Sequence, residues 1–189
     1  MAVTIDGTNG ITTPDLESAG QVTSNGLTTS LYPLISGTAV ASTSGTSIDF
    51  TGIPSWVKRI TVMFAGVSTS GTSAKLLQLG AGSVTTSGYT SVCATVYAGV
   101  SYTALATSTA GFIASDNNAG NLLHGTYVFT LISGNTWVGS SAMNTSGPLP
   151  YGFTGSGNIA LGGTLDRVRI TTVNGTDTFD AGSINILYE

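Results

Sequence analysis

Within the run from Trp56 to Gly66 the chain alternates: Ile60, Val62 and Phe64 fall on one side, and Arg59, Thr61 and Met63 on the other. A two-residue period is the signature of a strand with one face buried and one face wet. Pro54, just ahead, marks where that strand begins. The pattern returns near the C-terminus, where Val168 and Ile170 alternate with Arg167 and Arg169, and where Ile184, Ile186 and Tyr188 alternate again after Asn174-Gly175. Asn-Gly suits a turn that needs positive φ, so these two runs predict a closing hairpin. A second hairpin is predicted from 126–132 and 136–140 across Ser133-Gly134-Asn135. Shorter strands are expected at 38–41, 47–50, 74–79 and 91–97, and long connections at 103–125 and 144–157. Turn signals every roughly eight to twelve residues predict an all-β fold, an antiparallel β-sandwich of the jelly-roll-like kind.

Composition supports that class and removes others. The chain holds 31 Thr, 23 Ser and 26 Gly; threonine favours strands, whereas glycine and serine interrupt helices. Only 7% of residues are charged, against about 25% in an average globular chain. With 41% hydrophobic residues and a net charge of −4, little self-repulsion opposes collapse, which argues against charge-driven disorder. The glycines have no three-residue period and there are 5 Pro, which excludes collagen. At this length one domain buries about 70% of its unfolded surface, enough for one core. Five Lys and Arg give the wrong field for a phosphate track or an anionic membrane surface. No run approaches the ~20 apolar residues of a membrane helix. The opening Met1-Ala2-Val3-Thr4-Ile5-Asp6 lacks the basic and apolar regions of a signal peptide, so the sequons at Asn144 and Asn174 are expected to stay unmodified. Cys93, the single cysteine, is expected to be a small buried strand residue.

The first 35 residues differ in kind. Val3, Ile5 and Ile11 are isolated among polar and turn residues, too few to build a core in one chain. Such a segment either stays flexible or buries its apolar groups against copies of itself; the second reading is preferred, with Val3, Ile5, Ile11, Leu27 and Leu31 as oligomerising residues. Leu27, Leu31, Leu34 and Ile35 have roughly helical spacing, which would suit a short coiled neck, although Thr28-Thr29-Ser30 form helices poorly. The chain thus divides into a stem or attachment segment, 1–35, and a sandwich head, 36–189.

Chemistry is sparse. His124 is the one base available to a serine nucleophile, and Gly155-Ser156-Gly157 lacks the frame of a nucleophile elbow. Ser55-Trp56-Val57-Lys58 matches a bare S-x-x-K string but runs into a strand rather than a helix. Asp177 and Asp180 are a carboxylate pair by count, placed where solvated turn acids are usual. Asp116-Asn117-Asn118 lacks the acid density of a calcium loop. No metal site and no cofactor are expected. Glycan binding fits better, since sugar sites pair an aromatic face with neutral amides or hydroxyls on held loops. Tyr89, Tyr97, Tyr102, Asn144, Tyr151 and Phe153 are the candidates, with local packing or an oligomer contact as the plainer role for each.

The stretch Thr46-Ser47-Ile48-Asp49-Phe50-Thr51-Gly52-Ile53-Pro54-Ser55-Trp56-Val57-Lys58-Arg59-Ile60-Thr61-Val62-Met63-Phe64 resembles a segment recurrent in tail-fibre and other virion structural proteins of tailed bacteriophages. The opening Val3-Thr4-Ile5-Asp6-Gly7-Thr8-Asn9-Gly10-Ile11-Thr12 is similar to phage-fibre repeats of the form apolar-Thr-apolar-Asn/Asp-Gly-x-x-Gly-Ile. The resemblance covers the first third of the chain. It implies a homotrimeric fibre tip or spike with a β-sandwich head, assembled in the host cytoplasm, carried on the virion and exposed to host surface carbohydrate or protein. It lends no catalytic residues. The expected partners are further copies of the chain, other virion proteins through the N-terminal segment, and host surface glycan, with no nucleic acid and no membrane insertion. A capsid decoration or cement protein is the alternative, and a small glycan-cleaving enzyme a third reading.

Overall fold

A computed structural model describes residues 21–24, 27–30, 34–97, 103–114, 118–147 and 150–189. The chain forms two compact units, Met1–Leu34 and Ile35–Glu189. In the first, β1 (Gln21–Ser24) pairs antiparallel with β2 (Leu27–Ser30), so Leu27 lies opposite Ser24. A helical neck through Leu27 is thereby ruled out: the β-branched Thr28 and Thr29 take the strand conformation they prefer. Val3, Ile5, Ile11 and Leu31 lie outside the described residues.

The second unit is an antiparallel β-sandwich. Its strands are β3 (Ile35–Ser36), β4 (Val40–Ala41), β5 (Ile48–Thr51), β6 (Arg59–Thr69), β7 (Lys75–Ala81), β8 (Ser83–Val84) and β9 (Thr90–Tyr97). They continue with β10 (Thr103–Ser108), β11 (Phe112–Ala114), β12 (Leu122–Ser133), β13 (Thr136–Ser146), β14 (Tyr151–Ala160), β15 (Arg167–Thr172) and β16 (Phe179–Tyr188). Nine strands form one sheet in the order β10-β9-β14-β13-β12-β6-β16-β3, with β4 also on β16. Five form the other, β11-β7-β15-β5, with β8 on β7.

Alternation decides which side chains meet between the sheets. Ile60, Val62 and Phe64 of β6, Tyr127 and Phe129 of β12, and Ile184 and Ile186 of β16 are buried from the large sheet. Leu77, Leu79, Phe112, Val168 and Ile170 are buried from the small one. Each such side chain is worth roughly 1.5–3 kcal/mol of transfer free energy. Phe112 crosses the gap, its ring centroid 4.9 Å from that of Phe129 and 5.6 Å from that of Tyr127. Room for these rings comes from Gly139 on β13, where a Cβ would sit 2.8 Å from Tyr127 Cε1 and 2.9 Å from Phe129 Cδ1.

The hairpin predicted over 126–140 is present as β12–β13. The closing hairpin is not: β15 pairs with β5 and β7 in the small sheet, and β16 with β6 in the large one, so Asn174-Gly175 begins an arch between layers. Asn-Gly specifies a local reversal, and alternation on each strand is satisfied whichever sheet receives it. Two stretches expected to be connections hold strands. Residues 103–125 include β10, β11 and the start of β12, and 144–157 include the end of β13 and most of β14. Small residues such as those of Thr103–Ser108 give too little hydrophobic contrast to show a period.

The clean alternation of β6 ends at a double bulge. Gly66 has φ +67° and Gly182 of β16 has φ +88°, and a Cβ on Gly182 would fall 2.3 Å from the Gly66 carbonyl oxygen. The register against both β12 and β16 slips here, so inward residues change from Phe64 to Val67. The segment 52–58, central to the phage-fibre resemblance, is the arch that carries β5 over to β6. Ile53 N–H donates to Asp166 O at 3.0 Å, Lys58 N–H to Glu189 O at 2.8 Å, and Ile53 and Val57 are buried.

Candidate functional site

Register gives the sandwich two ends. At one, Ile35 pairs with Tyr188, which pairs with Ile60; Thr90, Thr136 and Ala160 share that end. At the other lie Tyr97, Tyr151, Ser146, Leu122 and Phe179. The chain therefore enters the sandwich at the end opposite Tyr97 and Tyr151, and at the opposite side of the large sheet, since β3 and β9 are strands near its two edges.

Tyr97 and Tyr151 are direct cross-strand partners, both half-buried, with ring centroids 4.7 Å apart at 73°. That edge-to-face geometry suits the aromatic quadrupoles. Behind them Phe153 lies 6.2 Å from Tyr151 and is 4% exposed, and Thr145 Oγ1 accepts the Tyr151 N–H at 3.0 Å. The pair is thus a rigid aromatic step at the far end. In the arch between β15 and β16, Asp177 accepts hydrogen bonds from Asn174 Nδ2 at 2.6 Å and Ser73 N–H at 2.9 Å. These donors hold its carboxyl below the usual range, with a smaller contribution from the charge of Lys75, which is 1% exposed.

The six residues proposed for glycan contact occupy separate places. Tyr89 is a core residue, 2% exposed: its hydroxyl accepts the Leu79 N–H at 2.9 Å and faces Leu79 O and Thr85 O, and burial pushes it up to about 12. With ring and hydroxyl consumed inside, Tyr89 offers no face to a sugar, and the same burial removes Phe153 from the surface. Tyr89 does lie in a connection, the one between β8 and β9, and is packed inward from it, whereas Phe153, expected on a loop, is a strand residue of β14 that alternation turns inward. Asn144 is exposed, but its register with Gly152 puts it on the opposite face of the large sheet from Tyr97 and Tyr151. There it lines a shallow groove of about 410 Å³ with Val96, Ala142, Gly152 and Thr154. A second groove of about 430 Å³ follows along the same strands, lined by Thr90, Val128, Val138, Ser140, Ser156 and Asn158 among others. Tyr102 lies outside the described residues.

The catalytic candidates resolve into structural contacts. His124 Nε2 lies 3.0 Å from Ser146 Oγ, a pairing the sequence did not suggest because 22 residues separate them. His124 Nδ1 accepts the Gly66 N–H at 3.2 Å. In the neutral ring the proton must then sit on Nε2, which donates to Ser146; a base for serine attack needs the opposite tautomer. Asp177 is held low, whereas a glycosidase acid must be raised, and Asp180 accepts the Ser68 hydroxyl. Ser55 and Lys58 sit in and after a turn, both exposed. Cys93 is buried, with its Sγ 3.8 Å from Ala94 O. Asp116 and Asn117 lie outside the described residues, among which no three His, Cys, Asp or Glu side chains gather. No helix among the described residues is long and apolar enough to cross a membrane. Compared with known proteins, the chain matches no family model, no curated protein and no solved structure.

Proposed function

We propose that this chain is a non-enzymatic virion structural protein of a tailed bacteriophage, a short fibre or fibre tip. In this reading the N-terminal segment joins copies into a homotrimer and to other virion proteins, and the sandwich recognises host surface carbohydrate or protein. The observation that carries it is the Tyr97–Tyr151 step at the end of the sandwich opposite Ile35. A fibre tip needs its recognition surface away from the point where the stem arrives, and half-buried, edge-to-face tyrosines present a fixed apolar face with a polar rim.

The test is binding of labelled full-length protein to a panel of bacterial cells and their purified surface polysaccharides. Tyr97→Ala and Tyr151→Ala should each weaken binding about tenfold or more while melting temperature and sedimentation stay as in the parent. Binding by both variants at parental strength would sink the assignment of this site. If no cell or glycan binds while the protein coats purified capsids, the cement reading stands instead. Reducing sugar released from a polysaccharide would establish an enzyme.

A further inference from the structure

The two outer faces of the sandwich carry very different charge. Between Lys75 and Asp166 in sequence, Asp116 is the one formally charged residue apart from the titratable His124. Strands β9, β10, β13 and β14 contain no Asp, Glu, Lys or Arg, and β12 contains only His124. These five strands are contiguous, and β6 continues the sheet beside them. Register aligns their outward residues in rows: Leu105, Ala94, Thr154, Ala142, Thr126 and Met63 form one, and Thr107, Val92, Ser156, Ser140, Val128 and Thr61 the next. Arg59, at the rim and bonded to Glu189, is the first fixed charge reached across the face. Four of the eight large hydrophobic side chains exposed among the described residues stand here: Leu105 at 74%, Val96 at 53%, Val92 at 39% and Leu122 at 37%.

We infer that this face is where copies of the chain pack on one another. Four properties select a second copy as the occupant. A surface without fixed charge meets its own image without burying or opposing a charge, whereas a polyanionic or polycationic partner would find nothing to pair with. Its Ser, Thr and Asn groups both donate and accept, so each satisfies the same group on a neighbour. The extent is also adequate. Six strands about 4.8 Å apart, each contributing about seven residues of about 3.4 Å, give a patch of roughly 600 Å² in projection. Two such patches exceed the ~1,000 Å² that separates specific interfaces from incidental contacts. The outermost strand, β10, also ends the sheet with neither Pro nor charge to blunt its edge, as expected where a neighbouring subunit shields it. The inference concerns the side of the sandwich and is independent of receptor binding at its far end.

The experiment uses the full chain. Ser156→Cys places a thiol in the middle of the face, Thr86→Cys places one on the exposed side of the small-sheet layer, and Cys93 is buried in both. Maleimide labelling of the assembled protein should be about tenfold slower at position 156 than at 86, and the two rates should converge on dilution to monomer. In parallel, Val96→Lys and Ala142→Lys should shift the sedimentation velocity profile toward smaller species, with unchanged melting of the sandwich, and Thr86→Lys should not. A parent that sediments as monomer at the highest concentration, or equal labelling rates in the assembled protein, overturns the inference. So does protection of position 156 that appears only when polysaccharide or capsid is added. Loss of cell binding on Tyr97→Ala with labelling unchanged would bear on the far-end site alone.

Discussion

The outer faces of the two sheets are built from the same kind of strand yet finished for different surroundings. On the small sheet, Arg169 makes a fork to Asp49 with both distances 2.7 Å, and Arg167 pairs with Asp166 at 2.8 and 3.0 Å. Hydrogen bonding to the carboxylates raises both arginines, and Arg167 lowers Asp166. On the large sheet the corresponding positions are Thr, Ser, Ala, Asn and Val. The difference shows that scarcity of charge in this chain is local. Among the described residues the charges lie on the smaller sheet, the arches, the far-end turns and, in the large sheet, at Arg59 of β6 and Asp180 of β16, and the run of strands from β10 to β12 is left without a fixed charge.

That contrast can be attacked first through the interior both faces share. Phe112→Ala should cost about 3–5 kcal/mol, because Phe112 is the ring that joins the sheets; chemical denaturation would measure it, and a loss below about 1 kcal/mol would mean that the layers are not held as described. Gly139→Ala should cost about 1–3 kcal/mol by driving a methyl into Tyr127 and Phe129. Tyr89→Phe should cost about 1–3 kcal/mol by leaving the buried Leu79 N–H without its acceptor. The faces themselves should respond weakly in a folding assay. Asp49→Asn should cost about 0.2–1 kcal/mol, the range for exposed pairs, and Ser140→Lys should stay within about 0.5 kcal/mol while altering association. A large folding penalty for Ser140→Lys would show that the neutral face serves the monomer rather than its contacts.

The smallest expected effect is electrostatic. Asp177, with its folded carboxyl held below the unfolded value, contributes stability that is present above the unfolded carboxylate range and is lost as pH falls through the folded value. Asp177→Asn should therefore lower the melting temperature at neutral and alkaline pH and converge with the parent as pH falls, so that the acid side of a plot of melting temperature against pH is flatter. An unchanged acid limb would show that the Asn174 and Ser73 contacts do not hold the folded carboxylate.

The alternation at Arg59–Phe64 and the turn at Ser133-Gly134-Asn135 were enough to give an all-β sandwich and the β12–β13 hairpin, because strand period and turn chemistry are local properties. Strands β10 and β14 were hidden for an equally physical reason: runs of Thr, Ala, Ser and Gly carry no hydrophobic contrast, and their pairing partners decide that they are strands. The candidate site divided in the same way. Aromatic type was visible in sequence, but the connection before β9 packs Tyr89 inward, alternation on β14 buries Phe153, and register leaves Tyr97 beside Tyr151, 54 positions apart in number and 4.7 Å apart at the ring centroids. His124 could be found as a lone imidazole, whereas its tautomer depends on the Gly66 N–H brought to it by the β6 bulge. The sequence by itself determined that the chain forms strands, where several of them turn, and that charge is scarce. The tertiary structure alone decided which sheet each strand joined, which end lies far from Ile35, and that the uncharged strands lie side by side, since long-range pairing is set by packing between segments that no local pattern encodes.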